Sequence, residues 1–134
     1  LSNDDVQRIT WLVKNHMRLR NFLNMRKHRR IRLARLEGFD ELLALCRMDA
    51  LASHGDSSFI DDIEEYLTEL EKETLRPKPL VTGKDLIEMG YTPGPEFKRI
   101  LETIETLQLE GQLIDTATAK AYTVNHFSLN ELSK

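Results

Sequence analysis

The sequence predicts an all-α protein, an irregular bundle of about seven helices in two lobes. Apolar residues recur at spacings of three and four along most of the chain, which is the helical period. No segment alternates polar and apolar residues over several strands. Two prolines in "LRPKPLV" interrupt the helical pattern, because proline lacks the amide hydrogen that a helix interior needs. We therefore expect a helical body lobe over residues 1–76 and a helical tail lobe over residues 77–134.

Two helices are predicted to open the body lobe. The first covers "DDVQRITWLVKNHMRLRNFL", and Ser2 or Asn3 can cap its start. Its predicted apolar face consists of Ile9, Leu12, Val13, His16 and Leu23. The second covers the very basic "KHRRIRLARLE" and ends at Gly38, because glycine readily takes the left-handed conformation that closes many helices.

Two further helices complete this lobe. Asp40 can cap the helix of "ELLALCRMDALASH", which Gly55 ends. Ser57 or Ser58 opens "FIDDIEEYLTELEKET", a segment with its apolar residues on one side and its acids on the other. We expect that acidic face to be solvated.

The tail lobe is predicted to contain a helix–turn–helix hairpin and a last helix. Thr82 can cap "GKDLIEMG", and Asp85 lies three residues further on, as in a capping box. Gly90 ends this helix, and "TPGP" turns the chain into a second helix that runs to about Glu110. A last helix is predicted over "TATAKAYTVNHF".

Charge is polarised along the chain, although the formal net charge is only −3. The segment from Val6 to Leu36 has no acidic residue, and acids predominate from Glu37 to Arg76. Ten of the 19 lysines and arginines lie in the first of these segments: Arg8, Lys14, Arg18, Arg20, Arg26, Lys27, Arg29, Arg30, Arg32 and Arg35. Exposed charges are screened beyond about 10 Å, so a local basic field persists whatever the total charge. The basic segment is a candidate polyanion site, unless the two segments neutralise each other in the fold.

Common catalytic motifs are missing from the sequence. It has no P-loop, no His-Glu-x-x-His and no cysteine pair at zinc spacing. Cys46 is the only cysteine, which excludes an internal disulfide, and its apolar helical context predicts an inert thiol. No apolar run is long enough to span a membrane. His16 and Asp49 could supply two metal ligands, but two ligands do not make a site, and we predict neither a catalytic nor a metal centre.

Two features favour a nucleic-acid partner. In "RKHRRIRLAR" the candidate phosphate contacts are Arg26, Lys27, Arg29, Arg30 and Arg32, and arginine suits phosphate because its planar fork binds two oxygens.

The second feature is the hairpin of the tail lobe. Backbone N–H groups at a helix start after Gly94 can hold a phosphate. Such an anion would also offset Lys98 and Arg99, two cations at the end of the helix where the dipole disfavours them. Together with Lys84, these residues are predicted to grip a second stretch of RNA backbone.

Three segments make the sequence similar to a known family. "WLVKNHMRLR", "LARLEGFDELLALCRMDALASHG" and "LVTGKDLIEMGYTPGPEFKRILETIETLQLEGQL" occur in that order. They resemble the C-terminal region of bacterial tRNA nucleotidyltransferases and poly(A) polymerases, and the likeness covers most of residues 5–125. It is sharpest from Gly83 to Gly111, where the family shows a "DL…G…PGP…IL…L.G" pattern.

The resemblance implies an all-helical body and tail that hold tRNA or other structured RNA for nucleotide addition at its 3′ end. The reaction itself would belong to the family's N-terminal catalytic head, which has no counterpart in these residues. We therefore expect no cofactor in this chain, Mg²⁺ and ATP or CTP only at that head, and a cytoplasmic protein. Lys98 departs from the family, since many relatives carry glycine there. CCA addition and poly(A) addition both remain open.

Two alternative functions remain. "LVKNHM" and "RMDALA" also resemble remnants of the HD phosphohydrolase pattern, but the sequence contains no His-Asp dipeptide, so that hydrolase would be incomplete or vestigial. A structural or protein-interaction module is the other alternative. In that case, the basic helix should pack against the acidic one.

Overall fold

The computed structural model describes residues 2–70 and 72–129, and in these residues it contains eight α-helices, one 3-10 helix and no strand. The prediction of an all-α fold is confirmed. The chain forms two compact units, Leu1–Arg76 and Pro77–Lys134. Each unit has an apolar core of its own.

The first unit contains five α-helices and the 3-10 helix. These are α1 (Asn3–His16), the 3-10 helix (Arg18–Asn24), α2 (Lys27–Ala34), α3 (Phe39–His54), α4 (Ser58–Glu69) and α5 (Lys72–Leu75). Its core is formed by Leu19, Phe22, Leu33, Phe39, Leu42, Leu43, Cys46, Ile60 and Ile63. The predicted cap of α1 is confirmed, because the Ser2 side chain accepts a hydrogen bond from the Asp5 amide at 3.1 Å.

The single long helix predicted at the start of the chain is wrong. α1 ends at His16, and the chain continues as a 3-10 helix. Because a 3-10 helix has three residues per turn, Leu19 and Phe22 lie on the same side of it. Both are completely buried in the core.

The predicted apolar face of α1 is wrong in part, since Leu12 packs against the core of the unit but other members of the face do not. Ile9 and Val13 are 47% and 58% exposed, whereas Asn15 is buried. The Asn15 amide is satisfied locally, since its Nδ2 donates to the Trp11 carbonyl at 2.8 Å and its Oδ1 accepts from Arg18 at 2.8 Å. Both sides of α1 carry apolar residues, and packing against α3 decides which side is buried.

Other boundaries in this unit also differ from the prediction. The basic helix α2 ends at Ala34 instead of continuing to Glu37, and Gly38 lies at the start of α3 rather than at the end of α2. α3 begins one residue before Asp40, after Gly38 in the left-handed conformation (φ 89°), and Asp40 lies in its first turn. An added Cβ at Gly38 would also lie 3.5 Å from the Trp11 ring. The helix predicted to continue to Thr74 is interrupted, because α4 ends at Glu69 and Leu70 is extended.

The second unit contains α6 (Gly83–Glu88), α7 (Pro95–Leu109) and α8 (Thr116–His126). The predicted capping box is confirmed, since the Thr82 amide donates to Asp85 Oδ2 at 2.9 Å and the Asp85 amide donates to Thr82 Oγ1 at 3.2 Å. Asp115 caps α8 by accepting from the Thr118 amide at 2.7 Å. The core of this unit is formed by Val81, Leu86, Tyr91, Ile100, Ile104, Leu113, Ala119 and Phe127.

Candidate RNA-binding surface

Three exposed cations lie at the start of α2. Arg26 is the N-cap residue, Lys27 and Arg29 follow in the first turn, and this turn has no acidic residue. We call these three residues the α2 cation cluster. A helix N-terminus already carries partial positive charge, so cations there repel it and favour an added anion. In the part of the chain that the structure describes, no carboxylate pairs with the cluster.

The other two arginines predicted on this helix are engaged within the protein. Arg30 is half-buried, and its Nε donates to the Tyr66 hydroxyl at 3.0 Å while its Cζ lies 5.0 Å from the centre of the Tyr66 ring. Another of its nitrogens donates to the carbonyl of Met25. Arg32 is half-buried and also has a contact inside the protein. The five predicted phosphate contacts therefore divide into three exposed side chains and two half-buried ones that already have partners within the chain.

Arg47 of α3 binds the start and the acidic side of helix α4. Arg47 donates to Ser57 at 3.0 Å, to Asp61 at 2.8 Å and to Glu64 at 3.2 Å. The basic helix α2 contacts α4 through Arg30, whose partner there is a tyrosine rather than a carboxylate. In an interaction module, the basic helix and the acidic helix would neutralise each other. Among the described residues, the α2 cation cluster has no carboxylate partner on α4, so it does not show this arrangement.

The hairpin brings some of the predicted residues together and separates others. Gly94 is extended (φ 169°), Pro95 occupies the first turn of α7, and Lys98 is exposed. Gly94 and Lys98 line one cavity together with Thr82, the cap of α6. Lys84 is exposed beside that cavity but does not line it.

Arg99 has a different environment. Its Nε lies 2.6 Å from Glu96 Oε2, and its Cζ lies 5.1 Å from the centre of the Phe127 ring. The sequence predicts that a bound phosphate offsets Arg99, and in the structure Glu96 of the same turn forms an ion pair with it. Lys98 is left as the exposed cation of this turn that has no ion pair among the described residues.

The cavity next to Lys98 was not anticipated from the sequence. It has a volume of about 710 Å³ and lies between α7 and the loop that precedes α6. Its apolar lining comes from Leu80, Val81, Phe97, Leu101 and Ile104. Gln108, at its other end, donates a hydrogen bond to the Lys78 carbonyl at 2.9 Å. The only hint in the sequence is the extended "PKPLV" before a capped helix, which does not indicate a cavity.

The residues considered as metal ligands have other surroundings. His16 Nδ1 lies 2.6 Å from the Val13 carbonyl of its own helix, which makes this nitrogen the donor. In residues 2–70 and 72–129, no three His, Cys, Asp or Glu side chains lie together as a metal site would need. The thiol of Cys46 is buried 3.4 Å from the His16 carbonyl, and burial, followed by the charge of Asp49, raises its pKa to about 11. No observation here favours phosphohydrolase chemistry.

A membrane-spanning helix is not found among the described residues, since none is both long and apolar enough.

Two curated proteins are similar to this chain over most of its length. The A-adding tRNA nucleotidyltransferase of Deinococcus radiodurans is 30% identical over 130 residues, which is 91% of this chain and 30% of that protein. The CC-adding tRNA nucleotidyltransferase of Thermus thermophilus is 29% identical over 119 residues, which is 87% of this chain and 27% of that protein. No family model and no solved structure matches. The chain spans less than a third of these relatives, and over most of its own length it is related to one region of the tRNA nucleotidyltransferases.

Proposed function

We propose that this chain is the RNA-binding C-terminal body and tail of a tRNA nucleotidyltransferase or poly(A) polymerase. It holds tRNA, or another structured RNA, while a catalytic head outside the chain adds nucleotides to the 3′ end. The observation that carries the proposal is the α2 cation cluster, which combines exposed cations with a helix N-terminus in a relative of enzymes named for acting on tRNA.

The cluster contacts phosphates and is blind to sequence, because lysine and arginine at the backbone position an RNA without reading its bases. Lys98 and Lys84 provide further backbone contacts in the second unit. An RNA held in this way is selected by its folded shape, since the deep major groove of an RNA helix hides base edges from side chains. This proposal assigns binding to the chain, and it assigns the nucleotide and Mg²⁺ chemistry to the head.

The head also has a candidate contact surface. Four residues form an exposed apolar stripe along α1: Val6, Ile9, Val13 and Met17, which are 47–59% exposed. Their spacing of three and four places them on one side of the helix. Contiguous apolar surface of this kind marks contact sites, and the curated relatives are about three times as long as this chain. We assign the stripe to packing against the head, in a cytoplasmic enzyme.

The test is tRNA binding measured by fluorescence anisotropy at several salt concentrations. An unstructured oligo(A) and a DNA duplex serve as comparison probes. Each neutralised phosphate contributes about 0.7–0.9 to the slope of log affinity against log salt. The triple variant Arg26→Ala, Lys27→Ala, Arg29→Ala should therefore lose about 2–3 from that slope.

A matched control removes three exposed cations elsewhere, with Arg8→Ala, Lys14→Ala and Lys78→Ala. It should retain most of the slope, although its net charge changes equally. Equal affinity for all three probes would reduce the surface to a generic basic patch. Absence of tRNA binding at low salt would contradict the proposal and favour a structural module.

A further inference from the structure

We propose that the cavity between α7 and the loop before α6 binds one unstacked nucleotide of the RNA. This inference rests on the proposed function and adds a base-binding subsite to a surface that otherwise contacts only phosphates. The volume of about 710 Å³ falls within the range of small-molecule sites, about 300–1,000 Å³.

The lining of the cavity suits a nucleobase. Most of its surface is apolar, with Leu80 and Val81 on the loop and Phe97 and Leu101 on α7. Phe97 and Leu101 are only half-buried, so part of each side chain is accessible to a ligand. A flat ring inserted between these walls removes apolar surface from water on both of its faces.

The charges along the cavity orient the nucleotide. Lys98 lies at the end next to Gly94, whereas Glu102 and Glu105 lie one to two turns further along α7. The Lys98 ammonium attracts a phosphate to its own end of the cavity, and the other residues that line the cavity include no cation. The phosphate is therefore placed at Lys98, with the base directed towards Gln108.

Gln108 is suited to meet the edge of that base. One of its amide hydrogens is used by the Lys78 carbonyl, which fixes the side chain and leaves the amide oxygen and a second hydrogen. An oxygen and an N–H on one amide can pair with a base edge through two hydrogen bonds. Lys98 and Gln108 are ten residues apart, about 15 Å along the helix axis, which leaves room for phosphate, ribose and base in line.

The experiment compares two probes by fluorescence anisotropy on the full chain. One probe is a mixed-sequence RNA hexamer, and the other is the same ribose-phosphate backbone without bases. Stacking of one base predicts about 5- to 100-fold tighter binding of the hexamer. Equal affinities for the two probes would overturn the proposal, and this comparison needs no variant to fold. If the cavity instead binds a segment of another protein, the hexamer and the abasic strand should bind with equal affinity.

Variants of the cavity residues show whether the base binds in the cavity. Leu101→Trp fills the cavity and should reduce the hexamer affinity to that of the abasic strand, and Gln108→Leu should reduce the preference in part. Ile87→Trp is the matched control, because Ile87 is 54% exposed in the same unit and does not line the cavity. Circular dichroism checks that each variant is folded. A base preference that survives both Leu101→Trp and Gln108→Leu would place the base elsewhere and overturn the proposal.

Failure of this inference is distinguishable from failure of the proposed function. A steep salt slope for tRNA with equal hexamer and abasic affinities rejects the subsite and leaves the RNA-binding function intact. A base preference that Leu101→Trp removes, without any preference for tRNA, rejects the function and supports the subsite.

Discussion

The guanidinium of Arg30 lies over the ring of Tyr66, 36 residues away, and donates a hydrogen bond to the hydroxyl of the same side chain. The pair connects the basic helix α2 to the acidic helix α4. Arg29, the preceding residue, is exposed. Two neighbouring arginines in one basic run therefore have opposite roles.

Arg30→Ala should lower the free energy of unfolding by about 1–3 kcal/mol, because it removes a charge-assisted hydrogen bond and a cation–π contact. Arg29→Ala should change it by less than about 0.5 kcal/mol and instead reduce the salt slope of tRNA binding. Urea unfolding and anisotropy measure the two effects. Equal stability of the two variants would contradict the structural role of Arg30.

Lys98 and Arg99 should also separate in binding. Lys98→Ala should reduce the salt slope for tRNA by about 1, whereas Arg99→Ala should leave it unchanged because Glu96 already neutralises Arg99. Glu96→Gln is the informative control, since it releases Arg99 and should increase the slope. A loss of slope in Arg99→Ala equal to that in Lys98→Ala would show that the ion pair does not hold in the complex.

Substitutions in the apolar stripe on α1 should have little effect on the stability of the protein. Ile9→Ser with Val13→Ser should change the free energy of unfolding by less than about 1 kcal/mol, because both side chains are exposed in this chain. Leu42→Ala, in the fully buried core, should cost about 2–5 kcal/mol. A large loss of stability on changing the stripe would mean that it is covered, which sedimentation or light scattering would detect as self-association.

Stability should decrease in acid through the carboxylates that cap helices. The Thr82 amide lowers the pKa of Asp85 below its usual 3.8, and the Thr118 amide does the same for Asp115. A depressed native pKa stabilises the fold above the unfolded value, and this stabilisation is lost as the pH falls through the native pKa.

The urea midpoint of the second unit should therefore be constant from pH 7 to about 5 and decrease below 3.8. The double variant Asp85→Asn, Asp115→Asn should be less stable at pH 7 and show a weaker decrease. Glu88→Gln removes an exposed carboxylate of the second unit that caps no helix, and it serves as control. An unchanged decrease in the double variant would assign the acid sensitivity to other groups.

Cys46 should be unreactive in the native protein. With a pKa of about 11, roughly one thiol in a thousand is ionised at pH 8, and the thiolate is the reactive form. Labelling by a thiol-specific chromogenic disulfide should be slow in native buffer. It should become complete at the urea concentration that unfolds the first unit. Immediate stoichiometric labelling without urea would show that the thiol is accessible.

Local chemistry could be predicted from the sequence, and long-range packing could not. Ser2 and the Thr82–Asp85 capping box involve partners three residues apart, so their signals are complete within a short window. Asn15 is different, because its burial depends on how α3 packs against α1. No pattern within α1 indicates that choice when both of its sides carry apolar residues.

The candidate site shows the same limit. A count of cations correctly located the basic helix, but it could not divide α2 into exposed and engaged arginines, since the partner of Arg30 lies on another helix. The cavity depends on residues from Pro79 to Gln108, and its shape follows from how the loop lies on α7. The sequence alone indicates the resemblance to tRNA nucleotidyltransferases, and the curated relatives confirm it.

Trp11 is the only tryptophan of the chain, and it packs against the core of the first unit beside Gly38. Its emission therefore reports on the core of the first unit, so a melt followed by tryptophan emission does not follow the unfolding of the second unit. Circular dichroism follows the helices of both units. A difference between the two melting curves would measure how independently the two halves of this polypeptide unfold.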